Sequence, residues 1–321
     1  MNYSPKVSVV MPVYNGEKFL QEAIESILNQ TFRDFEFLIV DDGSTDGSEE
    51  IISRYADTDE RIHLISNPKN LGIAEATNVG VAHARGEYIA LMDQDDISHP
   101  DRLSTEVAYL DLHPEICVVG GNTAVLGEDG RTHNRRPVLT SPVLIRWGLL
   151  FGNQLRNPTV LIRQDIFTKL GMRYENFAPL QDYRFWLKLS MRCWFTNLPE
   201  NLVTYRLHHD NASISQSDKY SDHLQVTQIE FIDELFGKRI SNVSGLSDPS
   251  LINNVSEAKE ICNVIIAWQK MSKAWNPSKA EKEFIAVKTI QKIRDICHFQ
   301  KYHITLLPEL FYSSWLKIVL P

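Results

Sequence analysis

The chain has few of the features that mark a disulfide-stabilised, zinc-binding or membrane-spanning protein. Its 321 residues include four cysteines, and no two of them form a CxxC pair. This argues against a zinc site or a disulfide framework and favours reduced thiols. No uncharged apolar run reaches the ~18–20 residues of a membrane-spanning helix. The first residues also lack the charged-then-apolar pattern of a signal peptide. We therefore expect a cytoplasmic protein that does not cross the membrane.

The chain also lacks an excess of positive charge. Its 33 Lys and Arg residues and 41 Asp and Glu residues give a formal net charge of −8. A nucleic-acid-binding surface has to be basic to neutralise phosphates, so we expect no nucleic-acid partner. An acidic protein can still bind an anionic nucleotide if a metal ion supplies local positive charge.

Strand-like and helix-like segments alternate through the first part of the chain. Apolar β-branched runs predict buried strands, and apolar residues three and four apart predict helices with one buried face. This alternation indicates βαβ units and a doubly wound, mostly parallel α/β sheet. The predicted strands lie at 7–13, 35–40, 62–66 and 88–92, and the helices at about 20–28, 48–55 and 74–84.

The pattern changes twice further along the chain. After residue 113 it becomes less regular, with strand-like runs at 116–119, 159–163 and 202–207 and a helix at about 183–191, and after residue 220 it turns to long helical stretches. We therefore expect a catalytic domain at 1–220, made of halves 1–113 and 114–220, and a helical C-terminal extension at 221–321.

Polar side chains follow three of the predicted parallel strands at the points where those strands end. In such sheets ligands bind outside the carboxyl ends of the strands, so these loops should line one cleft. Tyr14 follows the first strand as a candidate stacking face for a nucleobase. Five carboxylates follow the second and fourth strands: Asp41, Asp42, Asp93, Asp95 and Asp96.

The acidic segment 93–96 is the strongest chemical signal in this cleft. Carboxylates two residues apart at a strand end can chelate a divalent cation that binds diphosphate oxygens. The alternative is a solvated acidic turn that caps the next helix. Asp41 and Asp42 should face this segment, and so many carboxylates would repel one another without a cation. This favours a metal site, while Asp41 and Asp42 either cap a helix or accept hydrogen bonds from a base or ribose.

Six short segments in this region follow one another in a characteristic order. They are VVMPVYN (9–15), SILNQT (26–31), VDDGSTD (40–46), NLG (70–72) with Asn78, RGEYIA (85–90), and DQDD (93–96) with PDRL (100–103). Together they resemble family 2 glycosyltransferases. The resemblance implies a GT-A fold, a nucleoside-diphosphate sugar donor, with a UDP-sugar expected, and inversion at the anomeric carbon.

The resemblance also implies roles for individual residues. Asp95 would hold Mn²⁺ or Mg²⁺, and Asp93 would lie near the ribose and diphosphate. The expected nucleotide-sugar contacts are Pro12, Val13, Tyr14, Asp41, Asp42, Asn78, Asp93 and Gln94. One departure is Thr77, where many relatives carry an arginine, which puts one donor contact in doubt.

Two segments of the second half resemble the family more weakly. In QDYRFWL (181–187), Asp182 falls on the catalytic aspartate, although Gln181 replaces the usual glutamate. A carboxylate there can take the proton of an acceptor hydroxyl as the new bond forms, and the alternative role is a helix cap. In YRLHH (205–209), His208 would approach the metal or diphosphate and Arg206 could assist, with His209 left open.

The end of the chain carries a different signal. A narrow polar stripe runs along an otherwise apolar helix-like segment at 309–320. Such a segment either packs on the catalytic domain or another subunit, or lies in the headgroup region of a membrane.

These observations predict a metal-dependent inverting glycosyltransferase with a glycan or lipid-linked acceptor in surface polysaccharide synthesis. One alternative is a polyprenyl-phosphate sugar transferase, which a basic cluster near the acceptor cleft would favour. The other is a non-catalytic nucleotide- or glycan-binding relative, which the presence of Asp95 and Asp182 argues against. A nucleotidyltransferase would need a glycine-rich basic loop at 11–16, which is absent.

Overall fold

A computed structural model of the chain describes residues 4–209, 211, 217–237, 240, 242–252 and 255–299. The amphipathic segment predicted at 309–320 lies outside these residues, so its role stays a prediction.

Strands and helices alternate up to Leu91, as the sequence predicts. The predicted elements are confirmed and differ from the expectation only at their ends. They are β1 (Val7–Val13), α1 (Glu17–Leu28), β2 (Phe35–Asp41), α2 (Ser48–Ala56), β3 (Ile62–Ser66), α3 (Ile73–His83) and β4 (Tyr88–Leu91).

Parallel pairing joins these four strands. β1 lies between β2 and β4, and β3 pairs with the outer side of β2, all in parallel register. The carboxyl ends of the strands therefore lie at one edge of the sheet. The loops that carry Tyr14, Asp42 and Asp93 all begin at this edge.

The core explains why these elements form. β1 is buried over almost its whole length, as its continuous apolar run predicts. α1 buries Leu20, Ala23, Ile24 and Ile27, which is the stripe expected from their spacing. Each such buried Leu or Ile side chain contributes about 1.5–3 kcal/mol relative to an exposed one.

The second half continues the sheet with mixed pairing. Its strands are β5 (Ile97–Ser98), β6 (Ile116–Leu126), β7 (Thr132–Asn134), β8 (Leu161–Arg163) and β9 (Trp194–Arg206). The order in the sheet is β3-β2-β1-β4-β8-β6-β9-β5, with β7 paired to β6. β8 runs antiparallel to β4 and β6, and β5 runs antiparallel to β9, whereas β6 and β9 are parallel. The predicted parallel, doubly wound part is confirmed, and the sheet as a whole is mixed.

The elements of this half are longer or shorter than their apolar runs. The helices of this half are α4 (Arg102–Leu112), α5 (Pro142–Leu149), α6 (Asp165–Thr168) and α7 (Gln181–Ser190), with a 3-10 turn at Asn157–Thr159.

The described residues form two compact units. The chain passes between them at Pro142/Val143, Gly152/Asn153 and Ser217/Asp218. The first unit contains the sheet. The second combines the segment Val143–Gly152, which carries most of α5, with helices near the C-terminal end of the described chain: α8 (Ser217–Phe236), α9 (Ser244–Ser247), α10 (Val255–Ser272) and α11 (Lys279–Phe299).

The segment from the middle of the chain is bonded firmly within the second unit. The indole Nε1 of Trp268 donates to the carbonyl of Trp147 at 3.0 Å, and the side-chain amide of Gln228 donates to the carbonyl of Leu150 at 2.9 Å. Ile145 and Leu149 are fully buried. The helical unit is therefore completed by residues that precede it by a long stretch of chain. Within the described ranges, no helix has the length and apolar character needed to cross a bilayer.

Candidate active site

The loops after β1 and β4 are joined directly. The side-chain amide of Gln94 accepts a hydrogen bond from the backbone N–H of Tyr14 at 2.8 Å and donates to its carbonyl at 3.2 Å. Gly16 makes this approach possible, because a Cβ there would lie 2.6 Å from Gln94 Oε1. The Tyr14 side chain is 43% exposed, so its ring is accessible beside the acidic segment.

The strand residues before Tyr14 are less accessible. Val13 is 1% exposed, and its carbonyl accepts the N–H of Asp42 at 2.7 Å. Pro12 is half-buried and lies opposite Val40 in the register of β1 and β2. Val13 therefore supports this edge of the sheet from the core, whereas Pro12 and Tyr14 present more surface to a ligand.

The paired carboxylates after β2 have different environments. Asp42 accepts hydrogen bonds from the Asn67 side chain at 2.8 Å and from the backbone N–H groups of Leu71 and Gly72 at 3.0 and 2.9 Å. It therefore holds the 67–72 loop. Among the described residues, the Asp41 side chain accepts a hydrogen bond only from the Ser44 N–H, at 3.3 Å or more. Asp41 retains more capacity to accept hydrogen bonds from a nucleotide.

Asn78 on α3 is also engaged with the backbone. Its side chain donates to the carbonyl of Tyr174 at 2.8 Å and accepts the Tyr174 N–H at 2.9 Å. This pair of bonds fixes the segment that precedes α7 against α3. Asn78 thus anchors the part of the chain that leads to Asp182.

The three carboxylates of the 93–96 segment are electrostatically distinct. Burial, followed by the charges of Asp95 and Asp182, raises the pKa of Asp93 to about 7. Burial and the charges of Asp93 and Asp95 raise the pKa of Asp96 well above its ordinary value. Asp96 is fully buried and accepts the backbone N–H of Arg206 at 2.9 Å. Asp93 and Asp95 are partly accessible, and the side chain of Asp95 meets a histidine.

The two predicted metal ligands lie side by side. His208 Nε2 is 2.7 Å from Asp95 Oδ2, and the side-chain amide of Asn211 approaches both groups, at 3.1 and 3.2 Å. Asn211 also accepts the backbone N–H of His208 at 2.7 Å. The His208 ring packs on Phe19 with ring centroids 4.9 Å apart. His209, the alternative, is exposed.

Arg206, the last residue of β9, holds the acidic segment in place. Its Nε donates to the carbonyl of Asp95 at 3.0 Å, and its guanidinium also pairs with Glu22. The guanidinium lies 4.6 Å from the ring centroid of Phe19. Arg206 therefore positions the backbone between Asp95 and Asp96, and its charge offsets part of the local negative charge.

The donor set fits a hard divalent cation completed by a substrate. Among the described residues, no group of three or more His, Cys, Asp and Glu side chains is arranged to hold a metal. Mg²⁺ is commonly bound by one or two protein ligands together with substrate phosphates. The Asp95 carboxylate and the His208 imidazole converge on one point and can supply those ligands. The Nδ1 atom of His208 is buried without a partner within the described chain.

Asp182 is the second residue of α7 rather than its cap. Its carboxylate accepts the backbone N–H of Tyr183 and the side-chain amide of Asn153, both at 2.7 Å. Burial raises the pKa of Asp182 to about 6, although these two hydrogen bonds oppose the shift. The charge of Asp182 in turn raises the pKa of Asp93. The carboxylate expected to accept a proton therefore lies within electrostatic reach of the acidic segment.

Sequence reasoning missed Asn153 and Asn211. Each holds a candidate site residue, Asp182 and Asp95 respectively. Asparagines are common in loops, and neither of these two belongs to a helix-like or strand-like pattern in the sequence. The only signal for Asn211 is its position three residues after His208.

Solved structures resemble this fold along almost the whole chain. The Staphylococcus aureus TarS 1–349 structure in complex with UDP-GlcNAc has a TM-score of 0.58 and 18% identity, and the match covers 93% of this chain and 91% of that chain. The Pyrobaculum calidifontis mannosyltransferase PcManGT, in complex with GDP-Man and Mn²⁺, has a TM-score of 0.56 and 17% identity over 98% and 89%. The mixed α/β architecture is that of a GT-A glycosyltransferase.

Sequence relatives agree with this class. An uncharacterized glycosyltransferase of Haemophilus influenzae is 28% identical over 95% of this chain and 94% of that protein. The Bacillus subtilis relative TuaG, a glycosyltransferase named for teichuronic acid biosynthesis, is 30% identical over 66% of this chain and 83% of that protein. Residues 8–181 match the model described as glycosyl transferase family 2. The chain belongs to glycosyl transferase family 2.

Proposed function

We propose that the protein transfers a sugar from a UDP-sugar to a hydroxyl of a glycan or lipid-linked acceptor, with inversion, in surface polysaccharide synthesis. The observation that carries this proposal is the Asp95–His208 pair, together with the charge of Asp182, which reaches Asp93 in the same acidic segment. The UDP-GlcNAc complex of TarS supports the donor class. The relative named for teichuronic acid biosynthesis supports the setting.

The donor nucleotide is proposed to lie along the ends of β1 and β2. The exposed ring of Tyr14 stacks on the base, with Pro12 beside it, and Asp41 accepts hydrogen bonds from the base or ribose. Gln94 holds the Tyr14 backbone against the acidic segment. The base and the diphosphate are thus bound by loops that are tied together.

The diphosphate is proposed to lie against Asp95 and His208, with Asp93 and Asn211 next to them. When Mn²⁺ or Mg²⁺ is bound there, the ion supplies positive charge that stabilises the departing nucleoside diphosphate. Asn211 keeps the two ligand side chains in place, and Arg206 holds the backbone of Asp95.

The proposed chemistry is a single displacement. The acceptor oxygen forms a bond to the anomeric carbon as the bond from that carbon to the diphosphate oxygen breaks. The Asp182 carboxylate takes the proton of the acceptor hydroxyl, and Asn153 holds that carboxylate in place. A base with a pKa near the working pH is effective in this role.

The donor class can be tested by thermal stability. A ligand bound only by the native state raises the melting temperature, by an amount that corresponds to about 2.7 kcal/mol at a hundredfold excess over Kd. We expect UDP and UDP-sugars to raise the melting temperature with Mn²⁺ present and to lose this effect with a chelator. GDP- and dTDP-sugars, measured under the same conditions, are the comparison ligands that test specificity for UDP. Stabilisation by all of them alike, or by none, would contradict a UDP-specific site.

The pKa of Asp182 predicts the pH dependence of turnover. Because burial raises this pKa to about 6, the carboxyl becomes protonated, and unable to accept a proton, as the pH falls through that value. We expect kcat at saturating donor and metal to be level above about pH 7 and to fall about tenfold per pH unit below about pH 6. UDP binding measured at each pH separates this loss from a loss of donor. A kcat that stays level down to about pH 5 would be inconsistent with the proposed base.

A further inference from the structure

Three arginines of the first unit lie together on the β6–β9 side of the site. We call Arg135, Arg136 and Arg156 the arginine cluster. Arg156 donates to the hydroxyl and the carbonyl of Thr123, at 2.8 and 3.3 Å, and to the carbonyl of Arg136 at 2.6 Å. The guanidinium of Arg135 lies 5.4 Å from the ring centroid of Tyr205.

No carboxylate in the described part of the chain forms an ion pair with the arginine cluster. By contrast, Arg131 on the same hairpin pairs with Asp129. Arg156 is half-buried, and its hydrogen-bond acceptors are all neutral. Burial, with the neighbouring charge of Arg135, lowers the pKa of the Arg156 guanidinium. A buried charge without a counter-charge costs free energy of folding, so the cluster has unused capacity for an anion.

The arginine cluster lies close, in sequence or through a contact, to residues that hold Asp95 and Asp182. Tyr205, under Arg135, directly precedes Arg206, which donates to the carbonyl of Asp95. Asn153, three residues before Arg156, donates to Asp182. The cluster therefore lies on second-half elements that also carry residues holding Asp95 and Asp182, and in the sheet β6 and β9 are separated from β2 by β1, β4 and β8.

We propose that the arginine cluster binds a phosphate group of the acceptor, close to the hydroxyl that receives the sugar. This inference rests on the proposed transfer reaction and names the acceptor class within it. The planar guanidinium forms paired hydrogen bonds with phosphate oxygens. Both exposed members, Arg135 and Arg136, are open to such a ligand. The phosphate belongs either to a lipid-linked carrier or to a soluble phosphodiester glycan.

The test is made on the full-length protein saturated with UDP and Mn²⁺, so that the donor site is filled. Glycerol 3-phosphate is titrated by calorimetry as the soluble probe, with glycerol as the uncharged control. Nanodiscs with and without a polyprenyl monophosphate form the lipid arm. We expect saturable binding in at least one arm, weakening as salt is added. Binding in the lipid arm alone identifies a lipid carrier, and binding in the soluble arm identifies a phosphodiester glycan.

Substitutions locate this binding. Arg135→Gln should weaken the phosphate probe about tenfold, as expected for loss of a hydrogen bond to a charged group. Arg135→Gln/Arg156→Gln should weaken it further, and Arg131→Gln is the matched control that should leave it unchanged. Arg135 is exposed and its side chain only covers a ring, so this variant remains informative if Arg156→Gln fails to fold.

The outcomes separate this inference from the transfer reaction. UDP·Mn²⁺ affinity should be the same in the parent and in every arginine variant. Loss of UDP affinity in Arg135→Gln would assign the cluster to the donor diphosphate and overturn the inference. The inference would also be overturned if the phosphate probe bound in neither arm while UDP binding stayed intact. The same holds if Arg131→Gln weakened phosphate binding as much as Arg135→Gln does. A parent protein that binds no UDP would contradict the proposed function itself.

Discussion

Replacing Asp182 with Asn is expected to lower kcat by about 10²–10⁴-fold, the usual range for loss of a positioned base. The change removes the proton acceptor and keeps the size of the side chain. The donor contacts lie on other loops, so UDP·Mn²⁺ affinity should stay within a few-fold of the parent. A loss confined to kcat would mark an interaction made in the transition state. Transfer kinetics and UDP titration measure the two quantities.

Asp165→Asn is the matched control for this experiment. Asp165 also lies at the start of a helix, but it is exposed and paired with Lys169 at 2.8 Å. Its substitution should leave turnover near normal. The Asp182→Asn variant should also stay folded, because one amide oxygen can still accept the Tyr183 N–H, and a single lost hydrogen bond costs about 1 kcal/mol. Near-normal transfer by a folded Asp182→Asn protein would rule out the assignment.

Replacing Asp95 with Asn is expected to lower Mn²⁺-dependent UDP affinity by about a hundredfold or more. A cation on a diphosphate contributes several kcal/mol, and Asp95 provides the carboxylate of the proposed ligand pair. Calorimetric titration of UDP at saturating and zero Mn²⁺ measures the effect. The parent should lose most of its UDP affinity when the metal is chelated.

Asp96→Asn provides a control in the same segment. Asp96 is buried and accepts the Arg206 N–H, and the amide oxygen of an asparagine at this position can still accept that hydrogen bond. UDP affinity in this variant should therefore remain close to that of the parent. Equal losses in the two variants, or UDP binding that is insensitive to a chelator, would exclude Asp95 as the metal ligand.

Much of the first half could be predicted from local pattern alone. β1 and β2 are mostly apolar runs buried on both faces, and the apolar spacing of α1 repeats with the helical period. Parallel strands bring their carboxyl ends to one edge, so the proximity of Tyr14, Asp42 and Asp93 followed from strand order. These inferences depend on periodicity within a few residues, which a single sequence carries clearly.

The second half could not be predicted in the same way, because its structure depends on pairs that are distant in sequence. β9 extends from Trp194 to Arg206 because it pairs with β6 and, at its end, with β5, and several of its residues are polar. The different tasks of Asp41 and Asp42 depend on where the 67–72 loop passes. Asn153 reaches Asp182 across 29 positions. No local pattern encodes such contacts.

The interrupted helical unit has a consequence for how the protein is made. Residues 143–152 leave the ribosome well before 218–299, yet Trp147 and Leu150 are bonded to Trp268 and Gln228 in the finished protein. Because synthesis adds about 5–20 residues per second, this apolar segment remains without its packing partners for several seconds. A nascent chain should therefore expose a chaperone-binding site at 143–152 until α10 emerges, and a gene truncated near residue 217 would leave that site exposed permanently.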